Sequence, residues 1–441
     1  MKRTDFPAGF RWGVATSAFQ IEGSPRAEGA GPSNWSEFCH EPNRIANGDH
    51  GDITCDHFRR WRDDLRLLVE LGVNSYRFSL SWARILPEGI GRVNQRGLDF
   101  YSRLTDELLS LNITPCVTLL HWDLPASLEN LGGWLNPEIP NWFAEYAAVV
   151  FGALDDRVPL WVTINEPWVV SHLGYWLGQH PPGHQNRDEL ATAGEHLLNA
   201  HFAAARVYRE RGRHQLGWVV NLEPQHAASD READLAAARR GDAYMNRQFL
   251  DPVLLGTTPD ELGSILGPEA LARRSQSLAN WSNLTDFVGI NYYSRSVVSE
   301  DSLNRLTGTK RIRQPNPHTA MDWEVYPRGL YEILTWFHGR YPHTPVYVTE
   351  NGAAFDDTLT DDHTCHDPQR TEYLASHLSA AAEAMRQGVD LRGYFAWSFM
   401  DNFEWSYGYS KRFGLVHVDY ATLERTIKSS GLWYREFLGG K

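Results

Sequence analysis

The stretch Val346-Tyr347-Val348-Thr349-Glu350-Asn351-Gly352 sets four strand-forming residues directly ahead of a carboxylate and closes on Asn-Gly. β-branched and aromatic side chains favour a strand, and Asn-Gly ends one in a turn. Glu350 therefore stands where a buried strand meets a loop. In a parallel barrel that place is the C-terminal rim, where active sites are built. Taken by itself, Glu350 reads more simply as a strand-end acid facing water, so its partners decide the matter.

Moving outward from this stretch, short apolar or β-branched runs recur at 10–15, 75–80, 114–120, 160–164, 216–221, 287–291, 346–349 and 394–397. They lie roughly 40–70 residues apart, where a minimal β/α unit needs about 30, so the excess is loop. The segments between them carry helical spacing. Phe58, Trp61, Leu65, Leu68 and Leu71 recur at intervals of three and four, and Gly72 follows as a stop. Segments 98–111, 191–208 and 371–385 behave alike. Strands alternating with helices in this way predict a (β/α)8 barrel with long β/α loops, spanning 1–441 as one catalytic domain. The alternative is an open doubly wound sheet. That fold carries a Gly-rich first β/α turn, whereas the first run here is followed by Ala18-Phe19-Gln20. The polar segment 299–321, with Pro315 and Pro317, reads as a long loop over the site.

Composition narrows the partners. The formal charge is −13, from 42 Lys+Arg against 55 Asp+Glu, which argues against nucleic acid and anionic membrane. The chain holds 17 Trp, 18 Tyr and 19 Phe, and aromatic faces both fill cores and stack on the C–H faces of sugars. Cys39, Cys55, Cys116 and Cys365 are far apart and read as free buried thiols. His363, Cys365 and His366 sit among Asp361, Asp362 and Asp367, a polar loop rather than a metal site. No run of 18 apolar residues occurs and no apolar leader follows Met1 to Pro7, so a cytoplasmic protein is expected.

The polar residues at the strand ends form one constellation. They are Gln20 and Glu22 after the first run, Arg77 on the second, His121-Trp122 after the third and Thr163-Ile164-Asn165-Glu166-Pro167 at the fourth. Asn221, Asn291-Tyr292-Tyr293, Glu350 and Trp397 close the remaining four, with Asp401 to Trp405 beyond. In a barrel all of them point to one mouth. Pro167 is expected to hold Glu166 extended and force a sharp exit. Two carboxylates flanking one site, Glu166 and Glu350, are what glycoside hydrolysis requires.

Several stretches closely resemble family 1 glycoside hydrolases, the β-glucosidase and β-galactosidase group. They are Phe6-Pro7 with Phe10 to Gly23, Thr163 to Pro167, Tyr347 to Gly352, and Trp397 to Trp405 with Arg412-Phe413-Gly414-Leu415 after it. The resemblance implies a (β/α)8 barrel, retention of configuration and no cofactor. It implies Glu350 as nucleophile and Glu166 as acid/base, with Arg77 and Tyr293 in contact with Glu350. A cation and a hydroxyl donor there are expected to hold its pKa low, while Glu350 and burial raise that of Glu166. It also implies that Asn165 holds the sugar 2-hydroxyl. Gln20, His121 and Glu404 then take further hydroxyls, Trp405 donates its indole N–H and Trp397 forms a platform under the ring. Trp122, Asn221 and Phe413 join the substrate-binding set, and Trp168 and Trp323 form leaving-group walls.

The expected substrate is a β-glycoside or short oligosaccharide with a terminal non-reducing β-D-glucosyl residue, with β-galactosyl and β-fucosyl residues as further choices. A 6-phospho-β-glycosidase is the nearest alternative, but Glu404 would repel a 6-phosphate. A plant-type thioglucosidase would carry Gln at the Glu166 position. A non-catalytic sugar-binding barrel would be expected to lose one of the two carboxylates. Retention predicts carboxyl groups about 5–5.5 Å apart.

Overall fold

The computed structural model describes residues 2–279 and 282–440. Eight parallel strands close a barrel in sequential order: β1 (Arg11–Ala15), β2 (Ser75–Ser79), β3 (Thr114–Leu120), β4 (Leu160–Asn165), β5 (Gln215–Asn221), β6 (Phe287–Asn291), β7 (Val346–Asn351) and β8 (Leu391–Trp397). β8 pairs with β1, with Ala15 opposite Trp397. Each strand matches one of the expected runs to within a few residues. The four expected helices are present as His57–Leu71, Gln95–Ser110, Arg187–Arg211 and Pro368–Arg386. Gly72 stops the first of them in the left-handed conformation that a residue without Cβ adopts freely.

Strand alternation divides the apolar residues into two layers. Ala15, Cys116, Leu160, Val162, Val219, Phe287, Tyr347 and Phe395 fill the lumen. Their neighbours in sequence, such as Val14, Val117, Trp161, Trp218, Val348 and Tyr394, pack outward into the layer shared with the helices. The lumen cluster continues upward through Trp397 and Phe413 to Met321 and Trp323, so the floor of the mouth rests on a packed apolar column. All four cysteines are free and buried.

One expectation is corrected. Segment 299–321 is not simply a loop, because it completes a small sheet. Ser296–Glu300 pairs antiparallel with Thr309–Arg311 and parallel with Gln225–Ala227. Val298 is buried in this sheet, whereas Lys310 and Arg311 face solvent, so a two-residue apolar signal is lost in polar sequence.

Candidate active site

Both carboxylates owe their aim to irregular strand ends. On β7, Tyr347 faces the lumen and Val348 faces out, so strict alternation would turn Glu350 outward. The register shifts between Val348 and Glu350 against β6, and again against β8. The extra residue lets Thr349 and Glu350 both face the lumen side. On β4, the register shifts between Val162 and Asn165. Ile164 packs outward and Asn165 turns in.

The next residue departs from expectation. Glu166 is not extended but left-handed, at φ 49° and ψ 67°. Its N–H donates to the Val219 carbonyl at 2.9 Å while Pro167 opens the helix Pro167–Tyr175, so the chain must turn within one residue. The sharp exit is present; the conformation that produces it is different.

A continuous hydrogen-bond network joins the two carboxylates. Arg77 Nη1 donates to Glu350 Oε1 at 2.7 Å and Arg77 Nη2 to Asn165 Oδ1 at 2.6 Å. Tyr293 Oη donates to Glu350 Oε2 at 2.5 Å. Asn291 Nδ2 donates to Glu166 Oε1 at 2.6 Å and to Asn165 Oδ1 at 3.1 Å. Thr349 Oγ1 fixes that amide by donating to Asn291 Oδ1 at 2.7 Å. Arg77, Asn165 and Asn291 thus link Glu350 to Glu166 in one unbroken chain of hydrogen bonds.

The network separates the two acids electrostatically. Burial raises the Glu166 pKa well above the usual carboxylate range, and the Glu350 charge raises it further. Burial also raises Glu350, against the combined pull of Arg77, Tyr293 and Asn291. The expectation that Arg77 and Tyr293 hold Glu350 below its ordinary value is therefore corrected, because desolvation outweighs them. The order of the two acids stands. Glu350 has a cation and a phenol on its anion, Glu166 has one amide, and the first proton goes to Glu166.

These acids lie in a cavity of about 670 Å³. His121, Trp122, Asn221, Tyr293, Trp397, Glu404, Trp405 and Phe413 line it around the carboxylates, and Trp168, Met245, Trp323 and Tyr407 line it further out. The Trp397 and Trp405 rings lie nearly parallel to His121, at 5.8 and 6.1 Å. Asn165 Oδ1 is taken by Arg77 and Asn291, so its Nδ2 donates to His121 Nε2 at 3.2 Å. The imidazole proton is then on Nδ1, which has no protein partner, and neither has Asn221 Oδ1. Burial, and then Arg77, keep His121 neutral, with its pKa well below the usual value. Buried polar atoms without partners on a cavity wall are suited to a hydroxyl-rich ligand. Burial and the charge of Glu350 push Glu404 up to about 8.

This geometry finds close counterparts among known proteins. The sequence model for "Glycosyl hydrolase family 1" matches residues 2–441. The chain belongs to glycosyl hydrolase family 1. It is similar to Beta-glucosidase A of Thermotoga maritima, 47% identical over 431 residues, 97% of this chain and 96% of that one. It is 41% identical over 464 residues to the bifunctional beta-D-glucosidase/beta-D-fucosidase of Bifidobacterium breve, at 98% coverage of each. The solved structure of the Thermotoga maritima beta-glucosidase in complex with glucoimidazole superposes with a TM-score of 0.96 at 46% identity, covering 99% of this chain and 98% of that one.

Within this family 1 chain, Arg77, Asn165 and Gln20 stand one layer behind the cavity wall. Gln20 is fully buried. Its amide nitrogen donates to Asn402 Oδ1 and the Phe403 carbonyl, each at 2.9 Å, and lies 3.5 Å from Glu404 Oε2. Trp122 gives its indole N–H to the Asn165 carbonyl at 3.0 Å and packs tilted against Trp405, with ring centroids 4.5 Å apart, so what it offers the cavity is ring surface. Sequence reasoning placed Asn291 at a strand end and assigned it no role, yet its amide is the hydrogen-bond donor to Glu166 and ties that acid to Asn165. His180 was also missed; it is buried, lines the cavity and packs on Trp35 and Trp122. The Asn291-Tyr292-Tyr293 run after an apolar strand was the only available signal for the first, and none existed for the second.

Proposed function

We propose that this chain is a retaining β-glucosidase in which Glu350 is the nucleophile and Glu166 the acid/base. The observation that carries this reading is the buried network from Glu350 through Arg77, Asn165 and Asn291 to Glu166, with Arg77 and Tyr293 on Glu350 and only an amide on Glu166. Retention requires carboxyl groups about 5–5.5 Å apart, and the charge of Glu350, second only to burial in raising the Glu166 pKa, supports a closely facing pair.

The cycle follows from the charges. Glu350, ionised beside Arg77, attacks the anomeric carbon while Glu166 gives its proton to the departing oxygen. Once Glu350 is a neutral ester, the repulsion that raised Glu166 is gone. Glu166 then keeps its negative charge and takes the proton of the incoming water. His121, Glu404 and Trp405 take the sugar hydroxyls over the Trp397 face, with Trp122, Asn221 and Phe413 completing the pocket, while Asn165 and Gln20 hold His121 and Glu404 from behind the wall. Trp168 and Trp323 flank the leaving group. The substrate is a β-glycoside with a terminal glucosyl residue, and β-galactosyl and β-fucosyl residues fit the same donors. The whole chain serves this one site as a single catalytic unit, since strands from residue 11 to residue 397 close the barrel that holds it.

Glu350→Ala tests the assignment. Hydrolysis is expected to fall on the order of 10⁴–10⁶-fold. Azide is expected to restore turnover of an activated β-glucoside and to yield the α-glucosyl azide. A folded variant that azide does not rescue would remove Glu350 from the role.

A further inference from the structure

Outside the barrel mouth, three side chains converge on the protein surface. His40 follows the helix Asn34–Phe38, and His50 and Asp52 lie in the segment leading to the helix His57–Leu71. His40 Nε2 lies 3.3 Å and His50 Nδ1 3.4 Å from the same oxygen, Asp52 Oδ2. The three ligand atoms lie within 4.8 Å of one another. A tetrahedral ion with bonds of about 2.0–2.1 Å holds its ligand atoms about 3.3–3.4 Å apart. We propose that His40, His50 and Asp52 form a binding site for one divalent transition-metal ion of the zinc class, held by a single chain and separate from the catalytic centre.

The tautomer of His40 supports this assignment. Its Nδ1 is 2.8 Å from the Ser36 carbonyl, which can only accept, so Nδ1 carries the proton. Nε2 then faces Asp52 Oδ2 at 3.3 Å, so that both can serve as ligand atoms to one ion. Metal-binding histidines are oriented in this way, with the second ring N–H donated to a carbonyl. The His50 ring faces that of His40 at 5.1 Å and 22°. One ion satisfies both nitrogens and the carboxylate together. Cys39 Sγ lies on the Nδ1 side of His40, at 3.5 Å, and takes no part.

The support around the site is rigid. Tyr409 Oη donates to the His50 carbonyl at 2.9 Å, and Tyr409 N donates to Asp49 Oδ2 at 2.9 Å. The Asp52 carbonyl accepts from Ser24 N at 2.7 Å. Gly51 rests on the Phe19 ring so closely that a Cβ would come within 2.5 Å of it. The ligand side chains are each about half exposed, which leaves entry for the ion and open positions for water. His40, His50 and Asp52 share no helical or strand spacing, so the site is invisible in the sequence.

The test is titration of tag-free, metal-stripped protein with ZnCl2 by calorimetry and with CoCl2 by visible absorption. One ion per chain is expected, with a Co²⁺ spectrum of low coordination number and a Tm that rises with metal. His40→Gln, His50→Gln and Asp52→Asn are each expected to weaken binding by about tenfold or more, on the scale of losses at metal sites. Hydrolysis by the metal-free variants is expected to match that of the metal-free parent. Unchanged affinity in the three variants, half an ion per chain, or no binding would each overturn the proposal.

Discussion

At the floor of the cavity, the groups that bond Glu166 and Glu350, and the Asn165 amide that links them, come from strands or their immediate ends: Arg77 on β2, Asn165 on β4, Asn291 on β6 and Tyr293 two residues beyond it. At the rim, Trp168 lies on a helix, Met245 on a π-helical turn, Tyr407 on the short 3-10 turn Trp405–Tyr407 and Trp323 on an irregular segment. The floor is interlocked: Arg77, Asn165 and Asn291 each bond to at least two other residues, and deleting one leaves a buried partner unsatisfied. The rim is mostly a set of separate ring contacts, such as Trp168 on His172 at 4.3 Å and Trp323 beside Tyr293 at 5.1 Å. Chemistry sits on the part that cannot relax, and leaving-group choice on the part that can change one residue at a time.

If that contrast is right, the floor fails as a unit. Glu166→Ala is expected to lower kcat/KM about 10²–10⁴-fold for an alkyl glucoside, whose leaving group needs the proton. For a dinitrophenyl glucoside the formation of the glycosyl-enzyme is expected to change little. Equal losses on both substrates, measured side by side, would break the acid/base assignment.

Glu404 stands between the two regions, and its response should depend on pH. Its carboxyl, near 4.5 when unfolded, is pushed up to about 8 by burial and by the charge of Glu350. Between those values the folded chain keeps a proton that the unfolded chain has lost, so this group's contribution to stability falls as pH rises. Glu404→Gln is expected to leave Tm nearly unchanged at pH 4.5 and to raise it at pH 8, while kcat/KM for glucosides drops. A Tm difference that is the same at both pH values would show that burial exacts no charge penalty there.

The smallest effects belong to the rim. Trp168→Ala or Trp323→Ala is expected to raise KM for aryl glucosides and cellobiose by roughly tenfold, the scale of one lost apolar contact surface. The rate of water attack on the glycosyl-enzyme should not move, since the leaving group has gone by then. A loss in that second step, seen in pre-steady-state bursts, would mean that the rim is coupled to the floor.

The same contrast governs what can be read from residues alone. β-branched runs ending in Glu350, Asn165-Glu166 or His121 mark both strand and site, because strand propensity and strand-end chemistry are local signals. The bulges that turn Glu350 and Asn165 inward are not local, since each depends on the register of a neighbouring strand. The same holds for the left-handed Glu166, which Pro167 alone suggested would be extended. The net shift of Glu350 required weighing Arg77 and Tyr293 against burial, and burial is a property of the fold. Asn291 looked like one more strand-end amide until Glu166, Asn165 and Glu350 were seen around it. The small sheet at 296–311 was hidden by its exposed charges. The convergence of His40 and His50 on Asp52 arises only from irregular backbone.

The central claim is that Glu350 forms a covalent bond to the sugar. It is tested most directly with a 2-deoxy-2-fluoro-β-D-glucoside carrying an activated leaving group, followed by mass spectrometry of the proteolysed protein. The account predicts one fluoroglucosyl group per chain, on the peptide that contains Val346 to Gly352 and on Glu350 itself. A label on Glu166, or turnover to α-glucose with no label at all, would contradict it.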